Sequence, residues 1–371
     1  MACDAKGTTR GNEVGQAVMR VVQILESFAW GDAIGNHVQA LDGLFASKGL
    51  EHAVYANYVD ARVANVGLPI ADYDPSADDL IVYHLSTGSD LNYKVAEYPG
   101  RLVVNYHNVT PAHFFAGYNA RAQESCKEGR AGMSYLASHV DAAIAVSDYN
   151  ARELRQAHYD CPVQVVPILL DLSHLGPAGR LRTVGDRAHE DAGTRLLFVG
   201  RVAPNKRLER VIEDFSYVRR VVDQRATLTF VGNAGGMEAY LLRLKKYVSA
   251  MRLPGVRFAG HVSLDGLIEL YRTSDVFLCE SAHEGFCVPL VEAMHFGLPI
   301  VAQNTSAVGD TLGDGGLLLT QDDPREAALA VDVLMRSDEL RDRMREGQQT
   351  QLRRFDPTVV AHSYLDALGL L

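Results

Sequence analysis

Short apolar runs recur along this chain, each followed by a turn and then a stretch whose apolar residues return every three or four positions. Runs at Arg20–Phe28, Ala53–Tyr58, Leu80–His84, Leu102–Tyr106, Ala142–Val146 and Val163–Val166 predict one series of strands. The stretch from Ile34 to Lys48 predicts the helix after the first of them. A second series is predicted at Leu196–Val199, Leu228–Val231, Val256–Ala259, Val276–Cys279, Pro299–Ala302 and Leu317–Leu319. Strand alternating with helix implies parallel sheets covered by helices, an α/β chain. Between the series, Leu172 to Gly193 breaks the pattern with glycine, proline and charge and reads as an exposed linker or long loop. From Pro324 to Leu371 the pattern is helical, interrupted at Phe355-Asp-Pro357.

Chemistry concentrates where predicted strands end. After Val276-Phe277-Leu278-Cys279 comes a loop with two carboxylates, Glu284 and Glu292, around Gly285-Phe286-Cys287-Val288-Pro289. Pro289 suits the first position of a helix, which places Glu284 in the strand-to-helix loop and Glu292 in the first turn. The free amides of Gly285, Phe286, Cys287 and Val288 then point, with the helix dipole, into the crevice. Amides that seek an anion, framed by two acceptors, suit a ligand that is part phosphate and part polyol, such as a nucleotide sugar. The segment Leu196-Leu-Phe-Val-Gly200-Arg201-Val-Ala-Pro-Asn-Lys206 reads as a buried strand, a glycine turn and two cations at a helix mouth. Cations there oppose the helix dipole, so a bound anion explains them better than a solvated helix start. For Glu292, a favourable first-turn acid is the plainer reading, worth about 0.3–1 kcal/mol to the helix.

The Glu284–Glu292 spacing, followed by Gly297-Leu-Pro-Ile-Val-Ala302, resembles the Glu-x7-Glu element of retaining glycosyltransferases of family 4, and the Gly200–Lys206 segment agrees with it. The resemblance is dense from residue 195 to about 320 and thinner before. It implies the GT-B architecture: two Rossmann-like domains facing a central cleft, residues 1–171 and 194–354, joined by 172–193, with 355–371 crossing back to the first. It implies that Arg201 and Lys206 stabilise the departing nucleoside diphosphate, that Glu284 and His107 hold the transferred sugar, and that Glu292 holds the ribose. It also implies a hydroxyl acceptor in cell-surface polysaccharide or glycolipid synthesis, no cofactor, and no metal, since the cations and loop amides replace one. Asn233 and Val262, at two strand ends, would flank the base, with uracil, guanine and thymine all open.

In the first half, Gly31-Asp-Ala-Ile-Gly35-Asn36 lies between strand and helix, where glycine lets a backbone approach a ligand. Gly35 is assigned to the donor, and Gly31 and Asn36 to the acceptor. The dinucleotide pattern Gly-x-Gly-x-x-Gly is absent there, which counts against a nicotinamide enzyme. His107 and Asn108 follow a strand, and His84 and Ser86 end another, which makes His84 and Asn108 acceptor-side candidates. With 13 histidines in the chain, a packed role is the plainer reading of any one. Ser147 reads as a helix cap and Asp171 as a turn residue. His283-Glu284 opens like a zinc-protease pair, but position 287 is cysteine. Asp72-Tyr-Asp74 has the form of a metal–diphosphate motif of another fold and reads here as a solvated loop.

The 371 residues suffice for two domains. A net charge of −10 argues against nucleic acid as a partner. Five cysteines without a Cys-x-x-Cys pair, no signal-like start and no long apolar span point to reduced thiols in the cytoplasm. Cys287 reads as a small apolar filler. The basic stretches Leu242-Arg-Leu-Lys-Lys-Tyr247 and Arg341-Asp-Arg-Met-Arg345 allow contact with the inner face of a membrane, and more plainly read as solvated faces. No Gly-x-Ser-x-Gly elbow and no P-loop is present. An epimerase or phosphorolytic enzyme of the same architecture, and a non-catalytic nucleotide-sugar-binding regulator, are the other readings.

Overall fold

The computed structural model describes residues 19–177 and 193–371. Most of the expected linker and the polar leader lie outside the described residues. Seven strands make the first sheet: β1 (Arg20–Phe28), β2 (Glu51–Val59), β3 (Gly67–Pro69), β4 (Asp79–Leu85), β5 (Arg101–Tyr106), β6 (Ala142–Ala145) and β7 (Val163–Val165). Six make the second: β8 (Arg195–Val199), β9 (Thr227–Val231), β10 (Val256–Gly260), β11 (Val276–Cys279), β12 (Ile300–Gln303) and β13 (Leu317–Leu319). Their orders are β3-β2-β1-β4-β5-β6-β7 and β10-β9-β8-β11-β12-β13, with every pairing parallel.

Both faces of the first sheet are buried, which is why its strands read as nearly unbroken apolar runs. Val22, Ile24, Ile81 and Tyr83 pack on one side, and Val21, Leu80 and Val82 on the other. On that second side lies the C-terminal helix Pro357–Leu368, through Val360, Tyr364, Leu365 and Leu368. Arg101 Nη1 donates to the Leu368 carbonyl at 2.7 Å, while Phe355, just before the helix, rests edge-on against Phe286 of the second domain. The last stretch of chain thus ties one domain to the other.

In each sheet the strand order reverses once, between β1 and β4 and between β8 and β11. Such switch points open a crevice at the carboxyl ends of the strands. The loops that follow β8 and β11 carry Arg201, Lys206 and Glu284, so the second sheet delivers all three to its own crevice.

Asp72 and Asp74 are exposed, as a solvated loop would have them, while Tyr73 between them is buried and donates from its hydroxyl to Asp79 at 2.8 Å. One sequence expectation changes here. Arg341 is not on a solvated basic face: it is 1% exposed, and its guanidinium donates to the Leu334 carbonyl at 3.2 Å. Arg243, Lys245 and Lys246 are exposed on the helix Glu238–Ala250, as is Arg343 of the second stretch.

Candidate active site between the two domains

After β8 the chain turns at Gly200, whose amide donates to the Val231 carbonyl at 2.9 Å. A Cβ on Gly232 would stand 1.9 Å from the Gly200 oxygen, so the loops after β8 and β9 cross backbone on backbone. Gly200 therefore supplies close approach and not a free amide for a donor. Asn233 is exposed, with its side-chain oxygen accepting from Gly235 N at 2.6 Å, and Val262 is half-buried after β10. Arg201 is exposed and forms no ion pair among the described residues.

Lys206 closes a single 3-10 turn, Pro204–Lys206, and Arg207 takes a left-handed conformation before the helix Leu208–Tyr217 begins. Its ammonium meets Glu284 Oε1 at 2.5 Å, with the two side chains 17% and 8% exposed. Burial works to lower the lysine pKa, and the Glu284 carboxylate overrides it, so Lys206 stays above the ordinary range and charged. The loops are held in register by Asn205, whose amide donates to the His283 carbonyl at 3.1 Å while its own carbonyl accepts from Ala282 N at 2.8 Å. Glu284 N donates to Ser306 Oγ at 2.8 Å.

The helix carrying Glu292 runs Val288–His295, one residue earlier than Pro289 suggested, because Cys287 adopts φ +74° and serves as the cap position. Glu292 is therefore past the first turn, and the first-turn acid reading does not hold. Tyr271 donates to Glu292 Oε2 at 2.6 Å. Burial pushes the Glu292 carboxyl up, and the tyrosine draws it part of the way back. The amides of Gly285, Phe286, Cys287 and Val288 meet no acceptor among the described residues, while the Phe286 ring is core and its carbonyl accepts from Thr311 Oγ1 at 2.5 Å.

Across the seam stands the first domain. A Cβ on Gly285 would lie 2.5 Å from the His107 carbonyl oxygen and 2.6 Å from Asn108 Cβ. Asn108, at φ +86°, accepts from His283 Nε2 at 2.6 Å and donates to Asn150 at 2.9 Å and Glu153 at 2.7 Å. Arg130 pairs with Glu153 at 2.9 Å. Burial lowers the His283 pKa to about 4, so the ring is neutral at this junction. Asn108 is thus a seam residue whose amide is fully engaged, and it is not free for an acceptor. His84 is 1% exposed behind His107, bonded to it and to Gln23, so it is not an acceptor contact either. His107 itself is 8% exposed. Gly31 (φ +77°) and Asn36 are exposed at the mouth of the helix Ala33–Ser47. Gly35 is structural: its amide caps onto Asp32 at 2.6 Å, and a Cβ would meet the Ala29 oxygen at 2.0 Å.

The sequence reading missed Arg130, Asn150, Glu153, His283 and Ser306. Asn150 and Glu153 sit three apart on the helix Asp148–Gln156 that Ser147 caps, a spacing that puts both on one face. That was the one available signal.

Two buried groups have metal-binding donor types within 4.8 Å of one another: His37, His84 and His107; and Cys279, Glu284 and Cys287. In the second, Glu284 is already paired with Lys206, and Cys279 donates to Ser281 Oγ at 3.6 Å.

Beneath the Lys206 loop, Asp214 and Glu280 are 0% and 1% exposed, with Arg210 Nε at 3.5 Å from Asp214. Burial, reinforced for Asp214 by the Glu280 charge, pushes Asp214 up to about 9; burial, countered by Arg210, pushes Glu280 up to about 7. Both folded values exceed the unfolded range of about 4. The folded state therefore holds more protons, and this contribution to stability is complete below that range and lost as pH rises through the folded values. Melting temperature should fall between about pH 5 and about pH 9, by at most about 1.4 kcal/mol of stability per pH unit and proton. Asp214→Asn should flatten that slope, and an unchanged slope in thermal melts would refute the assignment.

Comparison with known proteins places this geometry. Residues 185–351 match the sequence family described as "Glycosyl transferases group 1". A phosphatidyl-myo-inositol mannosyltransferase of Mycobacterium leprae is 30% identical over 222 residues, 59% of this chain and 56% of that protein. The chain spans about a third to rather more than half of the curated relatives it matches first. Among solved structures, a sucrose-phosphate synthase from Thermosynechococcus elongatus superposes with a TM-score of 0.72 at 16% identity, over 94% of this chain and 98% of that one. The Anabaena protein HepE, in complex with UDP-glucose, gives 0.69 at 17%, over 95% and 100%. Residues 185–351 carry the group 1 glycosyl transferase pattern, and the chain as a whole has the GT-B fold.

Proposed function

We propose that the protein is a retaining, metal-independent glycosyltransferase that moves a sugar from a nucleoside-diphosphate donor to a hydroxyl of a glycan or lipid-linked acceptor. The observation that carries this reading is the Lys206–Glu284 pair beside Arg201 and four loop amides, none of which has an ion-pair or hydrogen-bond partner among the described residues, all at the switch point of the second sheet. An entering diphosphate takes Lys206, Arg201 and the amides. Glu284, released from its lysine, turns to the hydroxyls of the sugar. As the anomeric C–O bond breaks, charge develops on the diphosphate where these donors already point. Glu292, oriented by Tyr271, holds the ribose. Retention is proposed through same-face attack within a short-lived ion pair, without a covalent nucleophile. Arg201 and Lys206 supply the charge that a metal would.

On the acceptor side, a cavity of about 610 Å³ opens beside Glu26, Tyr58, Arg121 and Glu128. No helix among the described residues is long and apolar enough to cross a membrane. A place in the cytoplasm or at the inner face of a membrane fits a lipid-linked acceptor, in line with the relative named for phosphatidyl-myo-inositol.

The test is a binding and hydrolysis panel of UDP-, GDP- and dTDP-sugars, with and without EDTA, on wild type and Glu292→Ala. Because HepE holds UDP-glucose, UDP-sugars lead the panel. One donor should bind saturably, indifferent to EDTA, and at least about tenfold more weakly to the variant, the loss of a hydrogen bond to a charged acceptor. No binding by any donor to folded protein would end the reading.

A further inference from the structure

Behind His107 lies a chain of buried polar groups in which every proton position follows from its neighbour. Gln23 is the one polar residue in the inner stretch of β1 (Val21–Leu25) and is 0% exposed. Its Nε2 donates to the Val38 carbonyl at 3.2 Å, and a carbonyl oxygen only accepts. The Gln23 oxygen therefore faces His84 Nε2, at 3.0 Å, and that nitrogen must carry a proton. Burial, with His37 close by, holds His84 well below the ordinary histidine range, so the ring is neutral and its Nδ1 is bare. His84 Nδ1 lies 3.0 Å from His107 Nε2, which must then be the donor. His107 is held neutral in the same way, by burial and by the two neighbouring rings, so its own Nδ1 is bare as well. That nitrogen is buried, and it meets no partner among the described residues.

The third ring excludes a metal reading of the cluster. His37 Nδ1 accepts from the Leu169 amide at 3.0 Å, so its lone pair is used there, and its Nε2 lies 3.2 Å from the Asn105 side-chain amide. His84 Nδ1 is used by His107. One lone pair of the three, on His107, is left, where a metal needs several.

We propose that the chain Gln23–His84–His107 fixes the tautomer of His107, making its Nδ1 a standing hydrogen-bond acceptor at the domain seam for a hydroxyl of the donor's sugar. The inference rests on the proposed donor. The backbone of His107 lies at the seam, its carbonyl backing onto Gly285 and Asn108 bonding His283, next to Glu284. Its Nδ1 is covered in the ligand-free protein, so the sugar hydroxyl reaches it only once the seam parts to admit the donor. A bare nitrogen welcomes a hydroxyl and repels phosphate oxygens. The chain therefore discriminates a nucleotide sugar from the bare nucleoside diphosphate, and Gln23 and His84 are positioning residues.

The experiment is nitrogen NMR on ligand-free protein with ¹⁵N-labelled histidine, assigned with His107→Gln, together with binding of UDP-glucose and UDP to wild type and Gln23→Leu. Wild type should show His107 with a protonated Nε2 and a pyridine-type Nδ1. In Gln23→Leu, His84 loses its acceptor and shifts its proton to Nδ1, and His107 turns its proton to its own Nδ1. Affinity for UDP-glucose should then fall about fivefold, as for one hydrogen bond of about 1 kcal/mol, with UDP unaffected. Protonated Nδ1 in wild type overturns the proposal, as does an unchanged tautomer in the variant or an equal loss for both ligands. So does a joint shift of the three histidines on adding zinc. If Gln23→Leu does not fold, the wild-type spectrum decides. If no sugar nucleotide binds wild type, the donor reading fails, while the spectrum still tests the tautomer.

Discussion

Lys206→Ala should lower donor turnover by roughly 10²–10³-fold, the loss typical of one preorganised group aimed at developing charge. Two effects follow from the same substitution and must be separated. The catalytic one is the missing cation at the diphosphate. The structural one is a buried Glu284 left without its partner, which costs about 1–3 kcal/mol of stability. Lys206→Met combined with Glu284→Gln removes both charges and keeps most of the volume. That pair should recover the melting temperature while turnover stays low, a non-additivity that a thermodynamic cycle measures directly. Turnover restored along with stability would show that neither the Lys206 cation nor the Glu284 carboxylate is needed for transfer, and the proposed roles of both would fall.

The architecture could be read from the chain because parallel strands buried on both faces leave nearly continuous apolar runs. β1, β11 and β13 were anticipated to the residue. β3 was not: Gly67-Leu-Pro69 is three residues long, carries a proline, and pairs as an edge strand because Gly67 fits under Phe28. In the site, Arg201, Lys206 and Glu284 were visible because each lies in a loop directly after a strand, and Glu292 because it sits on the helix that this second loop leads into. The partners were not. That Lys206 would meet Glu284, 78 positions away, is a consequence of β8 lying beside β11, which local pattern does not encode. His84 and Asn108 were placed at the right strand ends and given the wrong surroundings. Strand-end position says where a residue is and not which way its side chain turns. Gln23 did leave a trace, a lone amide in an apolar strand, and a buried polar side chain requires partners.

Gly285→Ala should uncouple the domains without unfolding either. The new Cβ would lie 2.5 Å from the His107 oxygen, and neither atom belongs to a flexible side chain, so the backbones must part. Opening there strains the His283–Asn108 bond at 2.6 Å and moves His107 away from the amides of residues 285–288. Misplacement by about 1 Å between reacting groups costs on the order of 10²-fold in rate, and overpacking of this kind costs about 1–3 kcal/mol in stability. Binding of the bare nucleoside diphosphate should persist, because Arg201, Lys206 and the loop amides belong to the second domain alone. Gly43→Ala is the control: it lies in the helix Ala33–Ser47 with nothing within 4 Å of its added methyl, and should stabilise by about 0.8–1 kcal/mol with activity unchanged. If Gly285→Ala kept full turnover, the contact between the 107–108 and 283–285 loops would not be part of the working geometry. If it lost diphosphate binding too, the damage would lie within the second domain, and the seam would not be what the glycine protects.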